Sequence, residues 1–166
     1  MATEVWLQGG VPGFEPLLMP VAHSFLQVRA ELEELAKTID DRVLWQKPPG
    51  AASVGFHIRH IGGSTDRLLT YARGESLTPD QLAVAKREAS EELALNALLD
   101  DVRTALDRAL EQVRTTPPSD LLKAQKVGRA GLPSTTLGLL FHAAEHATRH
   151  SGQALTTARI LGASGR

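Results

Sequence analysis

The chain has 166 residues, of which 42% are hydrophobic and 22% charged, a balance that suits one globular domain long enough to bury a core. Its 18 Lys and Arg against 19 Asp and Glu leave a net charge of −1, without the basic excess of a dedicated nucleic-acid binder, so no nucleic-acid partner is expected. The absence of cysteine excludes disulfides, thiolate metal ligands and a cysteine nucleophile.

The N-terminus, MATEVWLQGGVPG, has neither the basic start nor the apolar stretch of a signal peptide. No segment approaches the roughly 20 apolar residues of a membrane span. The expectation is a cytoplasmic protein with no membrane partner. Residues 1–14, rich in glycine, read as a segment wrapping the surface of a single domain whose core spans about 15–162. The first helix is predicted from Leu18, Val21, Phe25, Val28, Leu32, Leu35 and Ile39, which recur at spacings of three and four; Pro16 or Pro20 marks its first turn. Lys47-Pro48-Pro49-Gly50 breaks the chain.

A second helix is predicted from about Ser53 to Ala72, with Val54, Ile58, Ile61, Thr65 and Leu68 as its apolar stripe and Gly74 as its stop. Gly62-Gly63 would weaken it by about 1 kcal/mol per glycine, so small residues there imply a close helix contact or space for a ligand. The third helix is predicted from Thr78 or Glu88 to Arg114. Thr78-Pro79-Asp80 resembles a capped start, and Leu95, Leu98, Leu99, Val102, Leu106, Leu110 and Val113 form the apolar face. Residues 115–133 form a long connection, able to cross the bundle end or to shape a pocket mouth; Lys126 and Arg129 in it read as solvated. The fourth helix is predicted from Ser134 or Thr135, as N-cap, to a point before Gly162. Strand signals are nearly absent. The fold class is therefore all-α, a four-helix bundle with one long crossover connection.

Half of the six histidines stand four residues apart on the fourth helix: His142, His146 and His150. Residues i and i+4 share a helix face one turn apart, so two such imidazoles can hold one divalent ion. Catalytic metal sites often use three protein ligands and leave a position open. The second helix offers His57 and His60, on neighbouring tracks, for the third ligand. His57 lies nearer the centre of the apolar stripe, which favours it mildly; His146 belongs to either possible pair on the fourth helix. A lone histidine is more often a packed or surface residue than a ligand, and that reading applies best to His23.

The segments HIRHIGGSTDR and HAAEHATRHSGQ resemble those of the DinB-like family, metal-binding four-helix bundles that include the YfiT type. In the first, His60, Ile61 and Ser64 match "His-aliphatic-x-x-Ser/Ala"; in the second, His146, His150, Gly152 and Gln153 match "His-x3-His-x-Gly-Gln". The resemblance runs from about residue 15 to 162. It implies one divalent metal ion, nickel, zinc or manganese, held by His60, His146 and His150, and a homodimer. It implies a metal-dependent transferase using a low-molecular-weight thiol, with a metal-dependent hydrolase or a non-enzymatic metal- and small-ligand-binding bundle as alternatives. The additional His57, His142 and His23, with Gln153, are left to support the ligands or line the pocket. Glu145, about 100° around the helix from His146, does not read as a general base, and Asp66 and Arg67 read as solvated helix-face charges.

Overall fold

The apolar stripes fold into four long helices. The structure, a computed structural model, describes residues 3–90 and 92–164. Helix α1 (Met19–Ala36) follows a 3-10 turn at Pro16–Leu18 and carries Pro20 in its first turn. Val21, Phe25, Val28, Leu32 and Leu35 are all buried, as the 3–4 spacing requires. The helix ends at Ala36, and Ile39 packs on the core from the turn beyond it.

Helix α2 (Val54–Ala72) starts where the sequence places it: Ser53 is the N-cap, its Oγ accepting the Phe56 N–H at 3.2 Å. Gly74 follows the helix at φ +78°, a left-handed position that glycine adopts without strain. The doublet inside α2 divides its work. A Cβ on Gly62 would stand 3.3 Å from Val102 Cγ2, so this glycine permits close packing of α2 on α4 (Leu95–Thr115). Gly63 faces a charged pair described below.

The predicted third helix is two helices. Helix α3 (Pro79–Arg87) has the expected start: Thr78 and Gln81 form a reciprocal capping box, with Pro79 in the first turn. The chain then leaves the helical path before α4. No Pro or Gly marks this break. It is imposed from outside, because the Trp45 indole N–H donates to the Leu93 carbonyl at 2.8 Å and Glu88 turns inward.

The connection to the last helix contains an unforeseen hairpin, β1 (Ala124–Val127) against β2 (Leu132–Thr135), antiparallel with Ala124 opposite Thr135. Neither strand alternates cleanly between polar and apolar, so no period-2 signal announced it. Gly128 and Gly131 take positive φ in its turn, and buried Gln125 donates to the Ala72 carbonyl at 3.1 Å and to Thr136 Oγ1 at 3.0 Å. The hairpin is thereby fastened to the C-terminal end of α2. Helix α5 (Thr136–Ser164) starts after Thr135, whose Oγ1 accepts the Gly138 N–H, and runs through Gly162 rather than stopping before it.

Helices α1 and α2 each pack against both α4 and α5. Between them lie fully buried Phe25, Ile58, Ile61, Leu98, Leu106 and Leu140, each contributing about 1.5–3 kcal/mol of transfer free energy. No helix among the described residues is long and apolar enough to cross a membrane. Residues 3–14 lie against α1, where the Val5 N–H donates to Gln27 Oε1 at 3.0 Å; residues 1 and 2 of the expected wrap lie outside the described residues.

Candidate metal centre

Helix α2 lies along α5, and their facing edges gather four imidazoles. His57 and His60 come from α2, and His146 and His150 from α5. One ring nitrogen each from His60, His146 and His150 lies within 4.8 Å of the other two, the one such grouping of His, Cys, Asp or Glu among the described residues. His60 Nε2 is 3.0 Å from His146 Nε2, and the His150 ring centroid is 4.6 Å from both other rings. Imidazole nitrogens at 2.0–2.1 Å from one tetrahedral ion stand about 3.3 Å apart. The cluster thus has the donor type and nearly the spacing that a divalent ion requires.

Its electrostatics fit as well. Burial, followed by the neighbouring His60, pushes His146 below the ordinary histidine value, and the same causes push His150 down to about 4. Both are therefore neutral at pH 7, the form that binds a metal. His57 is lowered for the same two reasons.

His57 is only 5% exposed, and its Nδ1 lies 3.0 Å from His150 Nδ1. It sits behind the triad, against His150. Its position near the stripe centre, which had favoured it as a ligand, is what sinks it into the core, whereas His60 on the flank keeps 20% of its side chain exposed. His142 is exposed, with its ring 5.5 Å from that of His146 and its Nδ1 3.3 Å from Glu145 Oε2. His23 is remote from the cluster in its contacts: its Nε2 lies 3.0 Å from the Gly9 carbonyl, fastening the N-terminal segment to α1. Gln153 is exposed. Glu145 is held by Arg149 in a two-pronged ion pair on the helix surface.

Two residues of the centre escaped the sequence reading. Glu88, considered only as a possible helix start, is 5% exposed, and its Oε2 accepts the His60 Nδ1–H at 2.7 Å. Arg67, read as solvated, is 15% exposed and donates to Glu88 Oε1 at 2.5 Å and Oε2 at 3.3 Å. Burial raises the Glu88 carboxyl, but the hydrogen bonds from His60 and Arg67 outweigh it and hold it below the usual range. Asp66, also read as solvated, is half-buried and accepts from Gln81 of α3 at 2.6 Å. The available signal was the glycine doublet, a helix-weakening pair with no other local reason. Lys126 and Arg129 are exposed, and their hairpin grips Ala72, about 18 Å along α2 from His60 at 1.5 Å per residue. The connection therefore does not shape the mouth of this site.

The model of the DinB superfamily matches residues 24–154, a span that includes all four clustered histidines. The chain belongs to the DinB superfamily. Solved structures agree on the fold. YfiT from Bacillus subtilis, described as a probable metal-dependent hydrolase with an unusual four-helix bundle topology, superposes with a TM-score of 0.66 at 16% identity, covering 86% of each chain. A DinB-like protein from Bacillus cereus gives 0.64 at 18% identity, covering 83% of this chain and 91% of its own. The DinB-like YjoA of Bacillus subtilis gives 0.63 at 21% identity, covering 86% and 92%. No curated protein matches the chain significantly. Of the DinB motif positions beyond the histidines, Ser64 is buried and donates back to the His60 carbonyl at 2.6 Å, one helical turn away.

Proposed function

We propose that this DinB protein binds one divalent metal ion, nickel, zinc or manganese, through His60, His146 and His150, and uses it in transferring a low-molecular-weight thiol to a small molecule. The observation that carries the reading is the convergence of three imidazole nitrogens within 4.8 Å, without a fourth His, Cys, Asp or Glu in the group. An ion held there would act as a Lewis acid with at least one open position. The chain contributes no thiol of its own. Nor do the nearest carboxylates offer a free base: Glu88 is engaged by His60 and Arg67, and Glu145 by Arg149. A thiol, with a pKa near 8.5, needs far less activation than water at 15.7, so a site without a free base suits thiol chemistry. Phe56 stacks on His60 with centroids 5.4 Å apart and also lines a cleft with Lys47, Pro48, Ala52 and Ala89. That cleft gives a small molecule an apolar wall beside the triad. The name given to YfiT supports hydrolysis as the second reading.

The first test is metal content of protein purified without a polyhistidine tag. Roughly one equivalent is expected; under about a tenth, with no uptake of added nickel or zinc, overturns the proposal. His60→Ala and His150→Ala should each lose more affinity than the roughly 10–100-fold that loss of an orienting partner costs. Chelator-sensitive, metal-restored transfer of glutathione, bacillithiol or mycothiol supports the first reading; chelator-sensitive ester or amide hydrolysis without thiol supports the second. A homodimer belongs to the same proposal, supported by Trp6, Leu17 and Phe141, each more than half exposed. Sedimentation as a monomer at micromolar concentration overturns that part.

A further inference from the structure

The metal reading leaves Gly63, Arg67 and Glu88 without a role, though Gly63 and Arg67 both meet the Glu88 carboxylate that touches one ring of the triad. A carboxylate can only accept, so the 2.7 Å contact places a proton on His60 Nδ1 and leaves Nε2 as the ring atom turned toward a metal. That Nε2 faces His146 Nε2 at 3.0 Å, inside the cluster. The ring plane is held from one face by Phe56, stacked at an interplanar angle of 11°. Glu88 is held in turn by two hydrogen bonds from Arg67, and the neighbouring Arg87 carbonyl accepts from Arg59 Nη1 at 3.0 Å. The end of α3 is thus clasped to α2 on both sides of the carboxylate. A Cβ on Gly63 would lie 2.2 Å from Glu88 Oε1 and 2.9 Å from Arg67 Nη1. Only glycine leaves that space.

We propose that Glu88, backed by Arg67 and admitted by Gly63, is the positioning residue of the metal centre, setting the tautomer and direction of the His60 ring before an ion arrives. The inference rests on the metal-centre reading and adds to it a carboxylate drawn from outside the two histidine helices. An anion behind an imidazole also strengthens the imidazole as a donor. The atoms that Gly63→Ala would displace are the far ends of two flexible side chains. That substitution should therefore push the carboxylate away while the helix gains from alanine.

The test compares wild type, Glu88→Ala, Glu88→Gln and Gly63→Ala. In chelator-treated protein at a pH where the ring is neutral, long-range proton–nitrogen spectra should show His60 as the Nδ1–H tautomer, giving way to a mixture in Glu88→Ala and Gly63→Ala. Zinc affinity by chelator competition should fall roughly 10–100-fold in those two variants and less in Glu88→Gln, which keeps an acceptor oxygen. Wild-type zinc affinity in both Glu88→Ala and Gly63→Ala overturns the proposal, as does an unchanged His60 tautomer in both. A wild-type protein that takes up no zinc overturns the metal-centre reading and the affinity part of this one. The tautomer measurement, made without metal, still decides whether Glu88 sets the ring.

Discussion

His150 stands among His57, His60 and His146, and burial together with those neighbours keeps it neutral down to about pH 4, against 6.5 for a free histidine. Between those values the unfolded chain takes up a proton at this position that the folded protein refuses. Unfolding is therefore favoured by acid, and folding stability rises with pH through 6.5 and levels off about a unit above it, where both states are neutral. His57 and His146 are lowered too and add in the same direction. Metal-stripped protein should show a urea midpoint that is level above about pH 7.5 and falls on the way to pH 5, with a shallower fall in His150→Gln. Equal wild-type midpoints at about pH 7.5 and 5.5 would contradict this account. At the same scale, sequence spacing found the histidines but leaned mildly to His57 over His60, and the grouped ligand is His60. Periodicity measures depth in the core, and ligands at the edge of a stripe do not maximise it. Glu88 was invisible for a different reason: its partner is 28 positions away, and nothing local marks a carboxylate that will turn inward.

Gly55 and Trp45 show how one element is placed by another. A Cβ on Gly55 would lie 2.7–2.8 Å from three atoms of the Trp45 ring, which is braced where it stands because its indole N–H donates to Leu93. Unlike the side-chain ends facing Gly63, a wedged indole cannot swing aside cheaply. Gly55→Ala should therefore cost about 1–3 kcal/mol by overpacking, read as a lower urea midpoint with loss of the native Trp fluorescence. An unchanged midpoint would show that Trp45 does not brace the break between α3 and α4. The same contact explains why that break was illegible. The stretch REASEELALN contains good helix formers and neither Pro nor Gly, so propensity continues the helix while a tertiary hydrogen bond ends it. The long helices were legible because each buries a 3–4 stripe, and the starts of α2, α3 and α5 because Ser53, Thr78 and Thr135 cap them. The hairpin escaped because it is held by buried Gln125 rather than by an apolar face.

At the scale of the whole molecule, the triad joins α2 to α5 across 86 positions of sequence, between His60 and His146. An ion bound there would tie together two helices that the unfolded chain leaves far apart, so binding energy becomes folding energy. With free metal at about 100 times Kd, binding to the folded state alone adds about 2.7 kcal/mol. In a chain of this length each kcal/mol moves Tm by about 2–4 °C, so saturating zinc should raise Tm by roughly 5–11 °C over the chelated protein. The histidines separate by role in this measurement. His150→Ala should abolish the rise, whereas His142→Ala, altering an exposed ring at the rim, should keep most of it. Alanine at both Lys126 and Arg129, at the far end of α2, should leave it intact. A rise that survived in His150→Ala would mean that the ion binds elsewhere, and a rise lost with Lys126 and Arg129 would mean that the hairpin end, not the triad, couples metal to fold.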